Sequence, residues 1–312
     1  MRESRDVTEH DQIIRCLLEN GRARVVAATT TQTVREITRR HNALGVAAVA
    51  LGRAITSGLL LATLTKDEEQ VTLQILGNGP LGGITVDARS SGRVRGYLRH
   101  VDGVPWVGAS QPARLSLAEA VGKQGVVNVV RDLGLAQNYA GQTALQTGEI
   151  DGDIEHYLST SEQIDSVLHC DTLVDGEGRV MVSAGLLVQT LPQAEGAALV
   201  EFIRQTWDER RLSQVLLEAP GVDAETLARR LLAPMPETLR ILDSRPVTFA
   251  CTCSRVRAAA TLEMLHEEDL RAMILEDNQA RVGCNFCGEQ YTFSESELEL
   301  IRRKGQPARP AS

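Results

Sequence analysis

The chain has 312 residues, 43% of them apolar and 24% charged, with a formal net charge of -8. That length holds a sizeable core plus smaller units, two or three domains in all, and the composition is that of an ordinary soluble globular protein without long disorder. The acidic balance argues against nucleic acid as a partner, because phosphate binding draws on a concentrated basic surface. The opening residues Met1 to Asp6 mix both charges and lack an apolar signal core, so a cytoplasmic protein is expected. In that reducing compartment six cysteines point to metal ligands or redox-active thiols rather than a permanent disulfide framework.

In chain order, Ile13 to Leu18 is an apolar stretch in which Cys16 reads as a buried, inert thiol. Ala23 to Thr31, rich in valine and threonine, predicts a strand, and Val34 to Leu64 predicts one or two helices. Ala43 to Leu64 is apolar enough to raise a membrane helix. Arg53 at its centre, with Gly45, Gly52 and Gly58, argues for a buried core helix instead, since an unpaired arginine at mid-bilayer costs about 3 kcal/mol. Strands follow at Gln70 to Leu76, Ile84 to Ala88 and Arg93 to His100, joined by glycine turns. Gly77-Asn78-Gly79-Pro80-Leu81-Gly82 matches G-x-G-x-x-G, but Pro80 interrupts it and another strand follows, so it reads as a hairpin and not as a dinucleotide fingerprint.

Ser116 to Glu119 predicts a turn or short helix, Val126 to Leu133, Gln142 to Gln146 and Arg179 to Leu191 further strands, and Ile154 to Ser166 a helical stretch. Cys170, beside His169 near an expected turn, also reads as a buried thiol, and the six histidines are scattered without metal-ligand spacing. Neither G-x-S-x-G nor a Walker A pattern occurs, so neither a hydrolase nor nucleotide-driven machinery is suggested. The result is an α+β fold class: an N-terminal mixed, mostly antiparallel sheet domain with helices over residues 1–194.

From Gln193 the sequence turns helical and charge-laced. Leu199, Val200, Ile203 and Trp207, then Leu212, Val215 and Leu216, recur at helical spacing, and Asp223 begins a helix carrying Leu227, Leu231 and Leu232. Pro234 and Pro236 punctuate, and Glu237 to Leu242 predicts one more short helical piece. Residues 195–249 therefore form a helical linker whose apolar stripe must cover something or be covered.

The C-terminal part, residues 250–312, carries Cys251 and Cys253, then Cys284 and Cys287, a C-x-C and a C-x-x-C pair. A divalent zinc ion takes four soft donors in a tetrahedron, and this pattern supplies them from two segments. The same thiols are two potential disulfides, so a static structural site and a redox switch both remain open. Ser254 caps a helix through Ala258 to Leu265, a second helix runs from about Glu268 to Leu275, Val282 to Phe293 forms a zinc-knuckle hairpin, and Ser294 with Glu297 is a capping box opening a last helix to Arg303. So few large apolar side chains build little core, and metal would supply the missing free energy.

With these residues in place the chain resembles, over nearly its whole length, the redox-regulated 33 kDa heat-shock chaperone family. The resemblance is carried by Gly77 to Gly82, Tyr157 with Ser161-Glu162-Gln163, Gly185-Leu186-Leu187-Val188-Gln189 with Leu191-Pro192, Cys251-Thr252-Cys253-Ser254-Arg255, and Cys284-Asn285-Phe286-Cys287 with Tyr291 and Phe293. Val256 stands where the family commonly has glutamate. The resemblance implies an ATP-independent holdase that binds unfolding proteins under oxidative stress, with one Zn2+ held in the reduced form by Cys251, Cys253, Cys284 and Cys287. It implies Cys251–Cys253 and Cys284–Cys287 disulfides on oxidation, and a linker face of Leu199, Val200, Ile203, Trp207, Leu212, Val215 and Leu216 as a candidate client surface. It further implies a homodimer when oxidised and hand-off to ATP-dependent foldases, with no nucleic-acid or membrane partner. Two other classes compete. A thiol-disulfide oxidoreductase would place its C-x-x-C at a helix start in a βαβ setting, and a zinc-ribbon nucleic-acid binder would carry a basic face around the cysteines.

Overall fold

The computed structural model describes residues 10–18, 21–65, 69–104, 115–132, 134, 138–191, 196–209, 211–233 and 239–304. They fall into two compact units, Met1–Ala250 and Cys251–Ser312. In the first, β1 (Gln12–Leu18) and β2 (Ala23–Thr29) lead into α1 (Thr31–Arg40) and α2 (Val46–Ala62). Then come β3 (Gln70–Gly77), β4 (Ile84–Arg89), β5 (Arg93–Leu98), α3 (Leu117–Val121), β6 (Gly125–Asp132), β7 (Tyr139–Ala144), α4 (Asp151–Ser161), β8 (Ser166–Val174) and β9 (Val180–Thr190). The helices α5 (Gly196–Glu209), α6 (Leu212–Glu218) and α7 (Ala224–Leu231) precede β10 (Leu239–Pro246) and β11 (Thr248–Phe249).

The strands make a five-stranded sheet, β10-β1-β2-β9-β8, and a six-stranded sheet, β11-β5-β4-β3-β6-β7. Pairing is antiparallel throughout except β11 with β5, which is parallel. Helix α2 packs against β8 and β9 of one sheet and β4 and β5 of the other. Lying between two sheets, it is buried on every side, which is why its sequence is apolar all round rather than striped. Alternation along β2 sends Val26 and Ala28 into this central core and Val25 and Ala27 into a second one on the opposite face of the sheet. That second core is completed by α5, α6 and α7.

The single charge inside α2 is matched. Arg53 Nη2 donates to Asp171 Oδ1 at 3.0 Å, which makes the helix a core element with a paired cation. Among the described residues no helix is long and apolar enough to cross a membrane. The G-x-G-x-x-G segment ends β3 and turns back into β4, whose residues pair antiparallel from Ile75 opposite Ile84 to Gln70 opposite Arg89, the hairpin expected of it.

Two expectations are corrected. The short helix expected at Glu237 to Leu242 is a strand where it is described: Leu239 to Leu242 belongs to β10, an edge strand pairing with β1, while Pro234, Pro236 and Glu237 lie outside the described residues. Propensity favours a helix there, and the vacant edge of β1 overrides it. The helix expected at Ile154 to Ser166 runs instead from Asp151 to Ser161, and Ser166 opens β8; the Ile13 to Leu18 stretch, given no element from sequence, is strand β1. Cys16 and Cys170 are both buried; burial pushes the Cys16 thiol up to about 11 and the Cys170 thiol well above its ordinary value.

Asp151 opens α4 inside the protein, accepting the Cys170 N–H at 2.7 Å through Oδ2, while Oδ1 has no partner among the described residues. Burial pushes its carboxyl from 3.8 up to about 7, the attraction of Arg53 and the Cys170 N–H offsetting only part of that. Between those pH values the folded protein keeps a proton that the unfolded chain releases. Stability therefore falls as pH rises through this window. Asp151→Asn is expected to raise the urea midpoint more at pH 8 than at pH 5, a difference on the order of 2 kcal/mol; a larger gain at pH 5 would show the carboxylate to be stabilised ionised.

Candidate metal centre

The second unit consists of α8 (Arg255–Glu263), α9 (Glu267–Asp277), the hairpin β12 (Gln279–Gly283) and β13 (Gln290–Ser294), and α10 (Glu295–Lys304). Its apolar core is Ala258, Leu262, Leu270, Ala280, Phe293, Leu298 and Ile301, only one of them aromatic. The sequence builds each end of it locally. Ser254 accepts the Arg257 N–H at 3.3 Å and caps α8, directly after Cys253. Cys284 and Cys287 lie in the turn of the hairpin, where the Cys284 N–H donates to Glu289 O at 2.9 Å and the Gly288 N–H to Cys284 O at 2.8 Å. Gly288 has φ +76°, a conformation that a side chain resists, so glycine is needed directly after the second cysteine. Ser294 makes one arm of the expected capping box, its N–H donating to Glu297 Oε2 at 2.9 Å.

All four cysteines are free thiols, and their sulfurs lie within 4.8 Å of one another. Cys251 Sγ is 3.7 Å from Cys284 Sγ, and Cys253 Sγ 3.3 Å from Cys287 Sγ. Zinc–sulfur bonds of about 2.3 Å in a tetrahedron place sulfurs about 3.8 Å apart, a spacing that the Cys251–Cys284 pair meets and the cluster as a whole approaches. The donor set is soft and complete. These residues could hold a metal ion with no further ligand, which is the composition of a closed site rather than an open catalytic one.

Electrostatics prepare the sulfurs unequally. Burial pushes the Cys251 thiol up, but the Cys253 N–H and the neighbouring thiols of Cys253, Cys287 and Cys284 more than offset it and bring it down to about 7. Burial dominates at Cys284 and Cys287 and raises both, despite N–H donors from Phe286 and Cys287 to the first and from Glu289 to the second. Without a cation the Cys251 thiolate forms readily near neutral pH, while Cys284 and Cys287 hold their protons more tightly. A metal must therefore displace protons on binding, and its affinity rises with pH.

Around the sulfurs, Arg255 ties the two cysteine-bearing segments together. Its guanidinium donates to Thr292 O at 2.8 Å and to Glu297 Oε1 at 2.6 Å, and lies 4.5 Å from the centre of the Phe293 ring. Arg255 and the Ser294 N–H together hold the Glu297 carboxyl down at about 2. The Tyr291 hydroxyl donates to Cys253 Sγ at 3.2 Å. Sequence reasoning placed Arg255 and Tyr291 in these segments without giving either a role. No periodicity signals a contact between residues 38 positions apart.

The apolar stripe of the linker lies in the other compact unit. Leu199, Val200, Ile203, Trp207, Leu212, Val215 and Leu216 are all buried there, joining Cys16, Val25, Val167, Val182 and Leu186 in the second core. The Trp207 ring is 5.7 Å from that of His169, and its Nε1–H donates to Leu231 O at 3.2 Å.

The family described as Hsp33 protein matches residues 11–294. The 33 kDa chaperonin of Listeria monocytogenes serotype 4a is 36% identical over 291 residues, covering 93% of this chain and 98% of that protein. The 33 kDa chaperonin of Geobacillus kaustophilus is also 36% identical, over 300 residues, covering 94% of this chain and 98% of its own length. In three dimensions the crystal structure of the 33 kDa chaperonin of Thermotoga maritima superposes with a TM-score of 0.83 at 28% identity, covering 95% of this chain and 99% of that one. A family match over residues 11–294, relatives covered over 98% of their own length and a shared fold lead to one conclusion: this chain belongs to the Hsp33 family.

Proposed function

We propose that the chain is a molecular chaperone, an ATP-independent holdase of the cytoplasm, switched on by oxidation of a zinc centre formed by Cys251, Cys253, Cys284 and Cys287. The observation that carries this reading is the gathering of four reduced thiols within 4.8 Å in a unit whose own apolar core is small. When bound, zinc supplies the cross-link that holds these thiolates and much of the free energy that folds residues 251–304. Whatever removes the thiolates removes that folding energy.

Peroxide does so in two balanced steps. A cysteine thiolate attacks one peroxide oxygen, the O–O bond breaks, hydroxide leaves, and sulfur becomes a sulfenic acid. A second cysteine thiol then attacks that sulfur; an S–S bond forms and water leaves. Two such events consume two peroxides and four thiols and yield two disulfides and four waters. We assign the pairs as Cys251–Cys253 and Cys284–Cys287. Two cysteines separated by one residue strain against the preferred Cα separation of about 5.5–6 Å in extended backbone, so the first of these pairs forms after the centre has loosened.

Loss of the small unit's fold then frees the linker helices, and Leu199, Val200, Ile203, Trp207, Leu212, Val215 and Leu216 become apolar surface for unfolded clients. The same exposure favours a homodimer of the oxidised form, and release of clients to ATP-dependent foldases follows when the thiols are reduced. No reaction is catalysed, and neither nucleic acid nor membrane is a partner.

The test is to measure zinc content, free thiols and light scattering of a thermally unfolding client before and after peroxide at mild heat. One zinc and four thiols lost together with new suppression of aggregation support the switch. Zinc retained, or lost without any gain in client binding, leaves a purely structural metal site.

A further inference from the structure

Tyr291 stands in β13 opposite Val282 of β12, beyond the turn that carries Cys284 and Cys287. Its ring packs against the small core, and its hydroxyl reaches across to Cys253 Sγ at 3.2 Å. Besides the thiols that face one another, the other three sulfurs have main-chain donors: Cys251 the Cys253 N–H, Cys284 those of Phe286 and Cys287, and Cys287 that of Glu289. Those donors are fixed by the local turn. The donor to Cys253 is different, because it is a side chain on the opposite cysteine-bearing segment, and the bond lasts only while the two segments stay together.

We infer that Tyr291 is a positioning residue that shields Cys253, so that oxidant attacks the other three sulfurs first. The inference rests on the redox reading above. An O–H···S bond occupies a sulfur lone pair and draws electron density from it, and the reacting step needs that density: the thiolate sulfur bonds to one peroxide oxygen as the O–O bond breaks and hydroxide departs. Groups that hydrogen-bond to metal ligands in this way tune both affinity and reactivity. Since Tyr291 shares its segment with Cys284 and Cys287, reaction there and movement of that segment break the bond and unmask Cys253. One hydroxyl thus makes Cys253 the last of the four sulfurs to react.

The experiment compares the zinc-loaded full chain with its Tyr291→Phe variant, which keeps the ring and loses the donor. A short iodoacetamide pulse, and separately a sub-stoichiometric peroxide pulse, is followed by mass-spectrometric location of the modified cysteine. In the unsubstituted protein Cys253 is expected to take the smallest share of label, and in Tyr291→Phe that share is expected to rise about 3- to 10-fold, the weight of one such hydrogen bond. With cobalt(II) alone in place of zinc, the sulfur-to-metal charge-transfer band is expected to move to lower energy in the variant while the d–d bands stay in place, a signature that general loosening would not give. An unchanged Cys253 share together with an unchanged charge-transfer band overturns the inference. So does finding Cys253 the fastest-labelled sulfur in the unsubstituted protein, a result that needs no variant to fold. If peroxide oxidises none of the four cysteines, the switch reading fails by itself, while the iodoacetamide pattern and the cobalt band still report on Tyr291.

Discussion

Stripping metal from the reduced protein with a chelator is expected to unfold residues 251–304 and to leave the two sheets of the first unit folded. The two units stand on different free energies. The first has two extended apolar cores, one around α2 and one beneath α5 to α7. The second has a core of Ala258, Leu262, Leu270, Ala280, Phe293, Leu298 and Ile301, two of which are alanines. Structural zinc in such small units contributes about 10–16 kcal/mol of apparent binding free energy coupled to folding, more than this core can replace. The Arg255–Glu297 pair is half-exposed on both sides and too well screened by water to substitute for the metal. Hydrogen exchange on the full chain, with chelator and a thiol reductant present, reads the outcome. Amides of β12 and β13 should lose protection while those of β2 and β9 keep it. Continued protection of the hairpin without metal would show that packing alone folds it.

Trp207→Ala is expected to detach the linker helices without any oxidation. Trp207 is 4% exposed, donates its indole N–H to Leu231 O and so joins α5 to α7. Truncating a buried tryptophan costs about 3–5 kcal/mol, and here the loss falls on helices that cover only one face of the sheet. Beside it the Arg204–Glu155 ion pair at 2.8 Å is a polar tie between α5 and α4. With Arg204 about half exposed, that tie cannot compensate. Exchange should therefore rise across residues 196–232 in the reduced, metal-loaded protein, with the hairpin of the second unit unchanged. If the apolar stripe is the client surface, the same variant suppresses aggregation of an unfolding protein before any peroxide is added. Helices that open while the client aggregates unhindered would place the client surface elsewhere.

The parts of this protein that depend on local pattern were legible in the chain. The Ser254 cap and the helix it opens needed only a residue type at a fixed offset. The glycine hairpin after β3 could be told from a nucleotide-binding loop because a proline and a following strand exclude the helix that such a loop must open. The four cysteines announced themselves by spacing, since a tetrahedral ion needs two short-range pairs and few other constraints give that pattern. What failed was local propensity where a neighbour decided. Leu239 to Leu242 looks helical in isolation and becomes a strand because β1 offers an open hydrogen-bonding edge.

The sequence by itself determined most of the elements, the apolar stripe of the linker and the identity of the sulfur donors, since these follow from periodicity and side-chain chemistry within a few residues. Tertiary structure decided everything that joins residues far apart. It placed α2 between two sheets and paired Arg53 with Asp171, covered the stripe with the outer face of the five-stranded sheet, and brought Cys251 and Cys253 against Cys284 and Cys287. It also put the Tyr291 hydroxyl on one sulfur of the four. Contacts of that kind depend on how whole elements pack, and packing is a property of the folded chain, with no period or spacing in the sequence to mark it.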